Sequence, residues 1–286
     1  MFERFIARPD QSLSDLRVLA QTAAEGHLLV HSDHPAVQES LRSVSIGGAF
    51  RAGPDDFLAV VVNSAAGSKV DYYEEREISY SVRLGDNRTA RTTTTTLLSN
   101  HAPTSGQPRI VIGPFIPGTE SGRVGPILRH LQPAESVALV NTYCAEGCLP
   151  SGVVLNGESV SAPAMSDLGV PYVRAYFSVP TGERAELMVS SQLPQAWEGN
   201  DSGGTYRLTF ANQVTIHPVR LHIEIQPPEG MHIVEVSDAM KIVDEKAVYD
   251  GIPGWRLQLE ISFQPSLPVR LWRDIVRFLS EPVISL

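Results

Sequence analysis

Alternating apolar and polar residues recur along most of this chain and constrain its fold more than any other feature. Ile78, Tyr80, Val82 and Leu84 alternate with charged or hydroxylated residues, and the stretch 255–263 alternates in the same way. A period of two places every second side chain on one face, which is typical of a half-buried β-strand. With 22 glycines and 21 prolines to supply turns, the pattern predicts a mainly β protein of many short strands.

Several segments predict individual strands. The apolar run 57–62 predicts a strand that is buried on both faces, and 136–143 predicts another. Three hairpins are predicted, each from two strand-like segments joined by a short turn or loop: 78–84 with 89–98, 170–179 with 184–191, and 206–213 with 219–226.

The order of these segments predicts two β-sandwich domains of the immunoglobulin-like type. Residues 1–50 are expected to be an α/β segment packing on the first domain, 51–198 the first sandwich, and 199–286 a second, smaller sandwich. The stretch 195–205, rich in turn-forming residues, is the expected boundary loop. Residues 267–280 place apolar and arginine side chains on different faces, which predicts a C-terminal amphipathic helix.

The N-terminal segment has its own local pattern. Apolar residues at helical spacing predict a helix from about residue 13 that stops at Gly26. Pro35 predicts the start of a second short helix that ends at Gly47. The apolar run 27–31 between them predicts a short strand.

Charge and hydropathy exclude some functions. The formal net charge is −9 and the pI is near 5.4, which argues against nucleic acid as a partner. No run of about 18 apolar residues is present to predict a transmembrane helix. Residues 1–9 lack the apolar region of a signal peptide. Membrane attachment would therefore need an anchor that is missing from this sequence.

The two cysteines of the chain, Cys144 and Cys148, are separated by three residues. Such a pair can close a tight disulfide loop, which would require an oxidising compartment. Two reduced thiols are the alternative. A redox dithiol usually has two intervening residues, and a zinc site would need more ligands. We interpret the pair as a structural disulfide.

Two motifs resemble catalytic or metal sites, and each also has a simpler explanation. The D-S-G-G sequence at 201–204 matches the surroundings of the serine nucleophile in chymotrypsin-like proteases, which would make Ser202 the nucleophile. His27, His31 and His34 have a spacing that can supply three zinc ligands. A loop and a chance cluster explain these motifs better, so we expect no catalytic residues, no metal and no cofactor.

A segment with two adjacent tyrosines predicts a ligand site. Lys69, Asp71, Tyr72 and Tyr73 offer a cation, a carboxylate and two rings, a combination found in carbohydrate and peptide sites. Trp197 is a further candidate as part of an exposed aromatic surface. The alternative is that the tyrosines form the entry to a strand and cap the sheet.

An ordered series of short runs resembles one bacterial family. The run 26–38 is followed by Ile46-Gly47-Gly48, by the apolar stretch 57–63, and by Gly67-Ser68-Lys69-Val70-Asp71-Tyr72-Tyr73. This order is similar to the C-terminal part of the bacterial "domain of unknown function 4012" family. The similarity is best over residues 20–100 and continues more loosely through most of the chain.

The resemblance implies an exported cell-envelope protein of an actinobacterial type, with its bulk outside the cytoplasm and its N-terminal membrane helix outside this sequence. On this basis we expect non-enzymatic binding or scaffolding, with a surface polysaccharide or an envelope protein as partner. No catalytic residues carry over from the family. The alternative is an accessory part of an envelope transferase or hydrolase whose catalytic region lies in a missing N-terminal portion.

Overall fold

Two helices precede the β-rich part of the chain. The computed structural model of the protein describes residues 13–44, 46–48, 52–113 and 131–266. Helix α1 (Leu13–Ala24) stops before Gly26, whose φ of 79° is in the left-handed region that favours glycine. Helix α2 (Pro35–Ser43) begins at its proline, also as predicted. The run 27–31 is irregular rather than the predicted strand.

Strands make up most of the remaining described residues. In chain order they are β1 (Asp56–Ser64), β2 (Glu74–Leu84), β3 (Ala90–Asn100), β4 (Ser136–Tyr143), β5 (Leu149–Leu155), β6 (Glu158–Ser159), β7 (Ala164–Asp167), β8 (Val170–Val179), β9 (Arg184–Leu193), β10 (Trp197–Asn200), β11 (Gly203–Ala211), β12 (Arg220–Gln226), β13 (Met231–Val236), β14 (Lys241–Val243), β15 (Lys246–Gly251) and β16 (Arg256–Pro265). A one-turn helix, α3 (Arg109–Ile112), and 3₁₀ turns at Val70–Tyr73 and Asp86–Arg88 complete the set. Strand β2 alternates strictly between buried and exposed residues, and β1 begins with five buried residues, both as predicted.

The strands form two mixed sheets. The first has the order β13-β16-β11-β1-β4-β8-β7, with β10 added beside β11, and the second has the order β14-β15-β12-β2-β3-β9-β5-β6. Most neighbours are antiparallel, but β1 runs parallel to β11 and β2 runs parallel to β12. The mainly β prediction is therefore confirmed. The immunoglobulin-like topology is not, because immunoglobulin sheets are antiparallel.

The two sheets share one hydrophobic core. A single cluster of buried side chains runs from Phe57 to Phe263 and includes residues of both sheets. The two parallel pairings join strands from opposite sides of residue 198, where the sequence predicts a domain boundary. The stretch 195–205, predicted to be a linker, contains the β10–β11 hairpin. Strand pairing therefore crosses the predicted boundary at residue 198. The sequence does not indicate this, because long-range pairing leaves no trace in a local sequence pattern.

Two of the three predicted hairpins are wrong, although all six strands are present. Strands β2 and β3 pair along their whole length, as predicted. Strand β8 instead pairs with β4 in the first sheet, while β9 pairs with β3 in the second, so the turn at 180–182 passes between the sheets. Strands β11 and β12 are divided between the sheets in the same way. Alternation identifies a strand but not its partner.

The loop between β4 and β5 contains the predicted disulfide. Cys144 and Cys148 are joined, and both are buried. The predicted helix at 267–280 lies outside the described residues. In the part of the chain that the structure describes, no helix has both the length and the apolar character needed to cross a membrane.

Candidate functional site

An open cleft of about 660 Å³ lies where three turns come together. These are the turn between β2 and β3, the turn between β12 and β13, and the turn between β14 and β15. Charged and polar side chains dominate its lining. Because ligand sites are concave and hold a few converging polar groups, this cleft is the candidate binding site.

The side of the cleft formed by β2 and β3 carries two adjacent arginines. Arg83 and Arg91 lie directly opposite each other in the antiparallel pair, and both are exposed. The Cβ atoms of such a pair are about 5 Å apart, so the two guanidinium groups can bind the same polar group of a ligand. Neither side chain has a hydrogen-bond or ion-pair partner among the described residues.

The other two turns contribute carboxylates. Asp244 and Glu245 come from the turn between β14 and β15, and Glu229 comes from the turn between β12 and β13. Lys246 donates a hydrogen bond to Glu224 Oε2 at 2.9 Å, so this cation is already paired. That hydrogen bond lowers the pKa of Glu224. The cleft therefore joins a basic side to an acidic side and offers both donors and acceptors to a ligand.

Two of the three turns are held in an unusual backbone conformation. Asn87 and Arg88 have φ angles of 57° and 63°, and Asp244 and Glu245 have φ angles of 46° and 63°. Two consecutive residues with positive φ form the tight turn whose twist matches that of the flanking strands. Arginine and glutamate seldom adopt this region, so strand pairing must stabilise the turns and thereby the rim of the cleft.

Trp197 supports the cleft from within the protein. Its indole Nε1–H donates to the carbonyl oxygen of Gly85 at 3.1 Å, and Gly85 lines the cleft. The tryptophan is only 8% exposed and packs edge-to-face on Phe263, with ring centroids 5.1 Å apart. Trp197 is therefore buried and does not belong to an exposed aromatic surface, contrary to the expectation from sequence. It positions one wall of the cleft instead.

The other four predicted ligand residues lie at the opposite end of β2. Lys69, Asp71 and Tyr72 are exposed, and Tyr73 is half-buried. The rings of Tyr72 and Tyr73 are perpendicular with centroids 5.1 Å apart, and His217 Nε2 lies 3.1 Å from the Tyr72 carbonyl oxygen. The eleven residues of β2 separate this small aromatic surface from the cleft by roughly 30 Å. It remains a second, separate candidate.

A buried polar network occupies the same end of β2. Arg76 donates to Gln213 Oε1 at 2.7 Å and to Glu74 Oε2 at 3.4 Å, and the Ser136 hydroxyl also donates to Glu74. Gln213 in turn donates to the Val62 carbonyl oxygen at 3.0 Å. Burial lowers the pKa of Arg76. The network links β2 of the second sheet to β1 and β4 of the first, which is a structural role.

The serine and histidine motifs lie on the surface. Ser202 is exposed in the turn of the β10–β11 hairpin, where its backbone N–H donates to Asn200 Oδ1 at 2.8 Å. In the D-S-G-G sequence, Asp201 and Ser202 therefore form the turn of a hairpin, and the two glycines begin β11. His31 Nε2 lies 3.3 Å from Asp33 Oδ1 at an exposed position. Within residues 13–44, 46–48, 52–113 and 131–266, no three histidine, cysteine or acidic side chains are placed to hold a metal ion.

A buried carboxyl group lies between the two sheets. Asp56 is 2% exposed and accepts hydrogen bonds from the Tyr80 hydroxyl, the Tyr206 hydroxyl and the Phe57 N–H. Burial raises the pKa of Asp56, although the three donors act in the opposite direction. Because the carboxyl group is closed off from solvent, this cluster stabilises the core and does not meet a ligand.

The sequence prediction missed the two arginines of the cleft. Arg83 and Arg91 appear there only as outward-facing polar positions on either side of the turn 85–88. In a hairpin with that turn, residues at equal distances from its centre become cross-strand neighbours. The sequence predicts this hairpin, so the symmetry about its turn could have identified Arg83 and Arg91 as neighbours.

Comparison with known proteins identifies no family. No family model matches the chain, and no curated protein matches it. Among solved structures, it is similar to a proposed nutrient binding protein of Legionella pneumophila, with a TM-score of 0.45 and 9% identity over 80% of this chain and 77% of that one. It is also similar to leukotriene A4 hydrolase of Saccharomyces cerevisiae, with a TM-score of 0.35 and 9% identity over 79% of this chain and 33% of the enzyme.

The M1 zinc metallopeptidase of Deinococcus radiodurans gives a TM-score of 0.30 and 10% identity over 67% of this chain and 41% of the enzyme. This chain thus spans less than half of either enzyme. Similarities of this size do not transfer a ligand, a metal or an activity to the present protein.

Proposed function

We propose that the protein is a non-enzymatic binding module of the bacterial cell envelope, located outside the cytoplasm, and that its cleft binds a surface polysaccharide. The observation that carries the proposal is the open cleft between three turns, with arginines on one side and carboxylates on the other. Such a lining suits a hydrophilic ligand, since sugar hydroxyls donate to carboxylates and accept from guanidinium groups.

Two further features support the location. A disulfide between Cys144 and Cys148 is typical of proteins that work in an oxidising compartment. The runs that resemble the "domain of unknown function 4012" family point to the same place, because that resemblance implies an exported protein. The location is tested by cell fractionation combined with alkylation of free thiols. We expect the protein in the envelope fraction with both cysteines oxidised, and a cytoplasmic protein with free thiols would contradict the proposal.

The binding function is tested with a glycan array followed by calorimetry on the purified chain. The double variant Glu229→Gln with Asp244→Asn neutralises two carboxylates of the acidic side of the cleft, and asparagine tolerates the positive φ at position 244. We expect this variant to lose about tenfold or more in affinity, since each hydrogen bond to a charged group contributes about 1.5–3 kcal/mol.

The matched control changes the aromatic surface at the other end of β2. The double variant Lys69→Ala with Tyr72→Ala removes two exposed side chains that lie roughly 30 Å from the cleft. It should bind like the wild type. If this control loses affinity and the cleft variant does not, the ligand binds the aromatic surface. If no glycan binds the wild type, the proposed function is wrong.

A further inference from the structure

The two cleft arginines belong to a row of four long polar side chains on the exposed face of the second sheet. Arg83 and Arg91 are cross-strand neighbours, Gln226 of β12 lies beside Arg83, and Gln192 of β9 lies beside Arg91. All four are exposed. At about 4.8 Å between strands, the row spans roughly 14 Å and presents only amide and guanidinium groups.

This arginine pair is electrostatically unfavourable as it stands. Like charges directly opposite each other destabilise a pair of strands. Some other basic residues are paired with carboxylates: Arg207 bonds both Glu198 and Glu260, at 2.9 and 2.7 Å. Arg83 and Arg91 have no such partner among the described residues. A bound anion would remove the repulsion and supply the missing acceptors.

We propose that Arg83 and Arg91 together bind the anionic group, a carboxylate or a phosphate, of an acidic saccharide. The proposal rests on the function proposed above and names the class of its ligand. Each guanidinium presents five N–H donors in a planar fork that matches the oxygens of a carboxylate or phosphate. Two forks on neighbouring strands hold such a group from both sides, with Gln192 and Gln226 within reach of its substituents.

The surroundings of the pair favour a saccharide over other anions. The next row on the same face holds the small hydroxyl side chains Ser81, Thr93 and Ser190, which leave room for a ring to lie close to the sheet. On β12 this row ends at Glu224, which is paired with Lys246. On the other side, the carboxylates of Asp244 and Glu245 accept hydrogen bonds from hydroxyl groups but repel a second anion. The ligand that fits both sides carries one acidic group and several hydroxyls.

Isothermal titration calorimetry on the full chain tests the proposal with four probes: an oligosaccharide of glucuronic acid, a phosphorylated oligosaccharide, a neutral oligosaccharide of equal length, and an oligoaspartate peptide. We expect the acidic saccharides to bind at least tenfold more tightly than the other two. Comparison of the first two probes shows whether the group is a carboxylate or a phosphate. Affinity should fall as salt is raised from 50 to 300 mM, because added ions screen the charges.

The variants Arg83→Gln and Arg91→Gln should each weaken binding of the acidic saccharide by roughly 10- to 100-fold. The matched control is Arg184→Gln, which removes an equal charge from the exposed face of the same sheet at the far end of β9, where Arg184 lies opposite Ser99. It should change affinity less than twofold. Without ligand, Arg83→Gln should be at least as stable as the wild type, because it removes a repulsion.

Five other outcomes would overturn the inference, and each points to a different explanation. Equal affinity for neutral and acidic saccharides would remove the anion site while leaving the proposed binding function intact. Tighter binding of oligoaspartate than of the saccharides would indicate that the ligand is an acidic peptide. Equal losses in Arg83→Gln and Arg184→Gln would indicate general charge attraction only. A lower thermal midpoint for Arg83→Gln would make the pair structural, and binding of no saccharide would overturn both proposals.

Discussion

The hydroxyl of Tyr206 donates a 2.5 Å hydrogen bond to Oδ2 of Asp56, although the two residues are 150 positions apart in sequence. Tyr206 lies on β11 and Asp56 on β1, the parallel pair at the centre of the first sheet. Tyr80 donates to the same oxygen at 2.8 Å from β2 of the second sheet. This one carboxyl group therefore connects both sheets and both halves of the chain.

Replacing Tyr206 by phenylalanine should lower the free energy of unfolding by about 1–3 kcal/mol, because a buried acceptor loses a donor. Urea denaturation measures the change. The control is Tyr176→Phe, at a residue that is 36% exposed and whose hydroxyl has no hydrogen-bond partner among the described residues. This control should stay within about 0.5 kcal/mol of the wild type. Equal effects of the two substitutions would contradict a specific role for the hydrogen bond.

The stability of the protein should depend on pH through Asp56. Burial raises the pKa of this carboxyl above its ordinary value of 3.8, so the folded state keeps a proton that the unfolded state has already lost. This contribution is fully present below pH 3.8 and is lost as the pH rises through the folded pKa. The variant Asp56→Asn has no such group, and wild-type stability relative to it should fall as the pH increases from 4.

Urea denaturation of both proteins at several pH values between 4 and 8 checks this dependence. The Tyr206→Phe variant sharpens the test, because loss of a donor to the carboxylate raises the pKa of Asp56 further. In that variant the decline should extend to higher pH. If the wild type instead gains stability relative to Asp56→Asn as the pH rises, the predicted direction of the pH dependence is wrong.

Substitution of Gly204 by alanine should destabilise the protein by about 1–3 kcal/mol through overpacking. A Cβ at this position would lie 2.6 Å from both the Glu198 carbonyl oxygen and the ring of Trp197, which supports the cleft. The matched control is Gly152→Ala in β5, where a Cβ meets nothing within 4 Å. It should be neutral or up to about 1 kcal/mol more stable. Thermal unfolding distinguishes the two, and equal thermal midpoints of Gly204→Ala and Gly152→Ala would refute the expected clash.

Replacing Cys144 and Cys148 together by alanine should cost about 2 kcal/mol, the loop-entropy value for a ring of this size. Both side chains are buried, so alanine avoids introducing a polar group. Wild-type protein treated with a reductant should show a similar loss, while the double variant should not respond to the reductant. Measurement of free thiols by alkylation and mass spectrometry verifies the redox state. A response of the double variant would mean that the reductant acts elsewhere.

The sequence predicts strands far better than it predicts their partners. Alternation from Ile78 to Leu84 follows directly from one buried face, and it identifies β2 correctly. The hairpin between β8 and β9 fails because Pro180-Thr181-Gly182 suits a turn within a sheet and a turn between sheets equally well. The choice is made by distant residues such as Asn100, whose side chain donates to the Val179 carbonyl oxygen at 2.9 Å.

The candidate site shows the same limit. Tyr72 and Tyr73 attract notice as adjacent rings, yet the cleft lies at the other end of β2. The sequence suggests Trp197 as an exposed ligand residue, but only the fold reveals that its indole N–H is turned inward to Gly85. The carboxylates from the turn at Asp244 reach the cleft by pairing of strands far apart in the chain, which no local pattern contains.

The parallel pairing of β1 with β11 and of β2 with β12 has a consequence for how the chain can be made. Neither central strand meets its second neighbour until well over a hundred further residues have been synthesised, so contacts of high sequence separation dominate and folding should be slow. A ribosome adding about 5–20 residues per second leaves β1 without its second neighbouring strand for roughly 7–30 seconds. A fragment cut at residue 198 would expose the edges of β1 and β2 to aggregation.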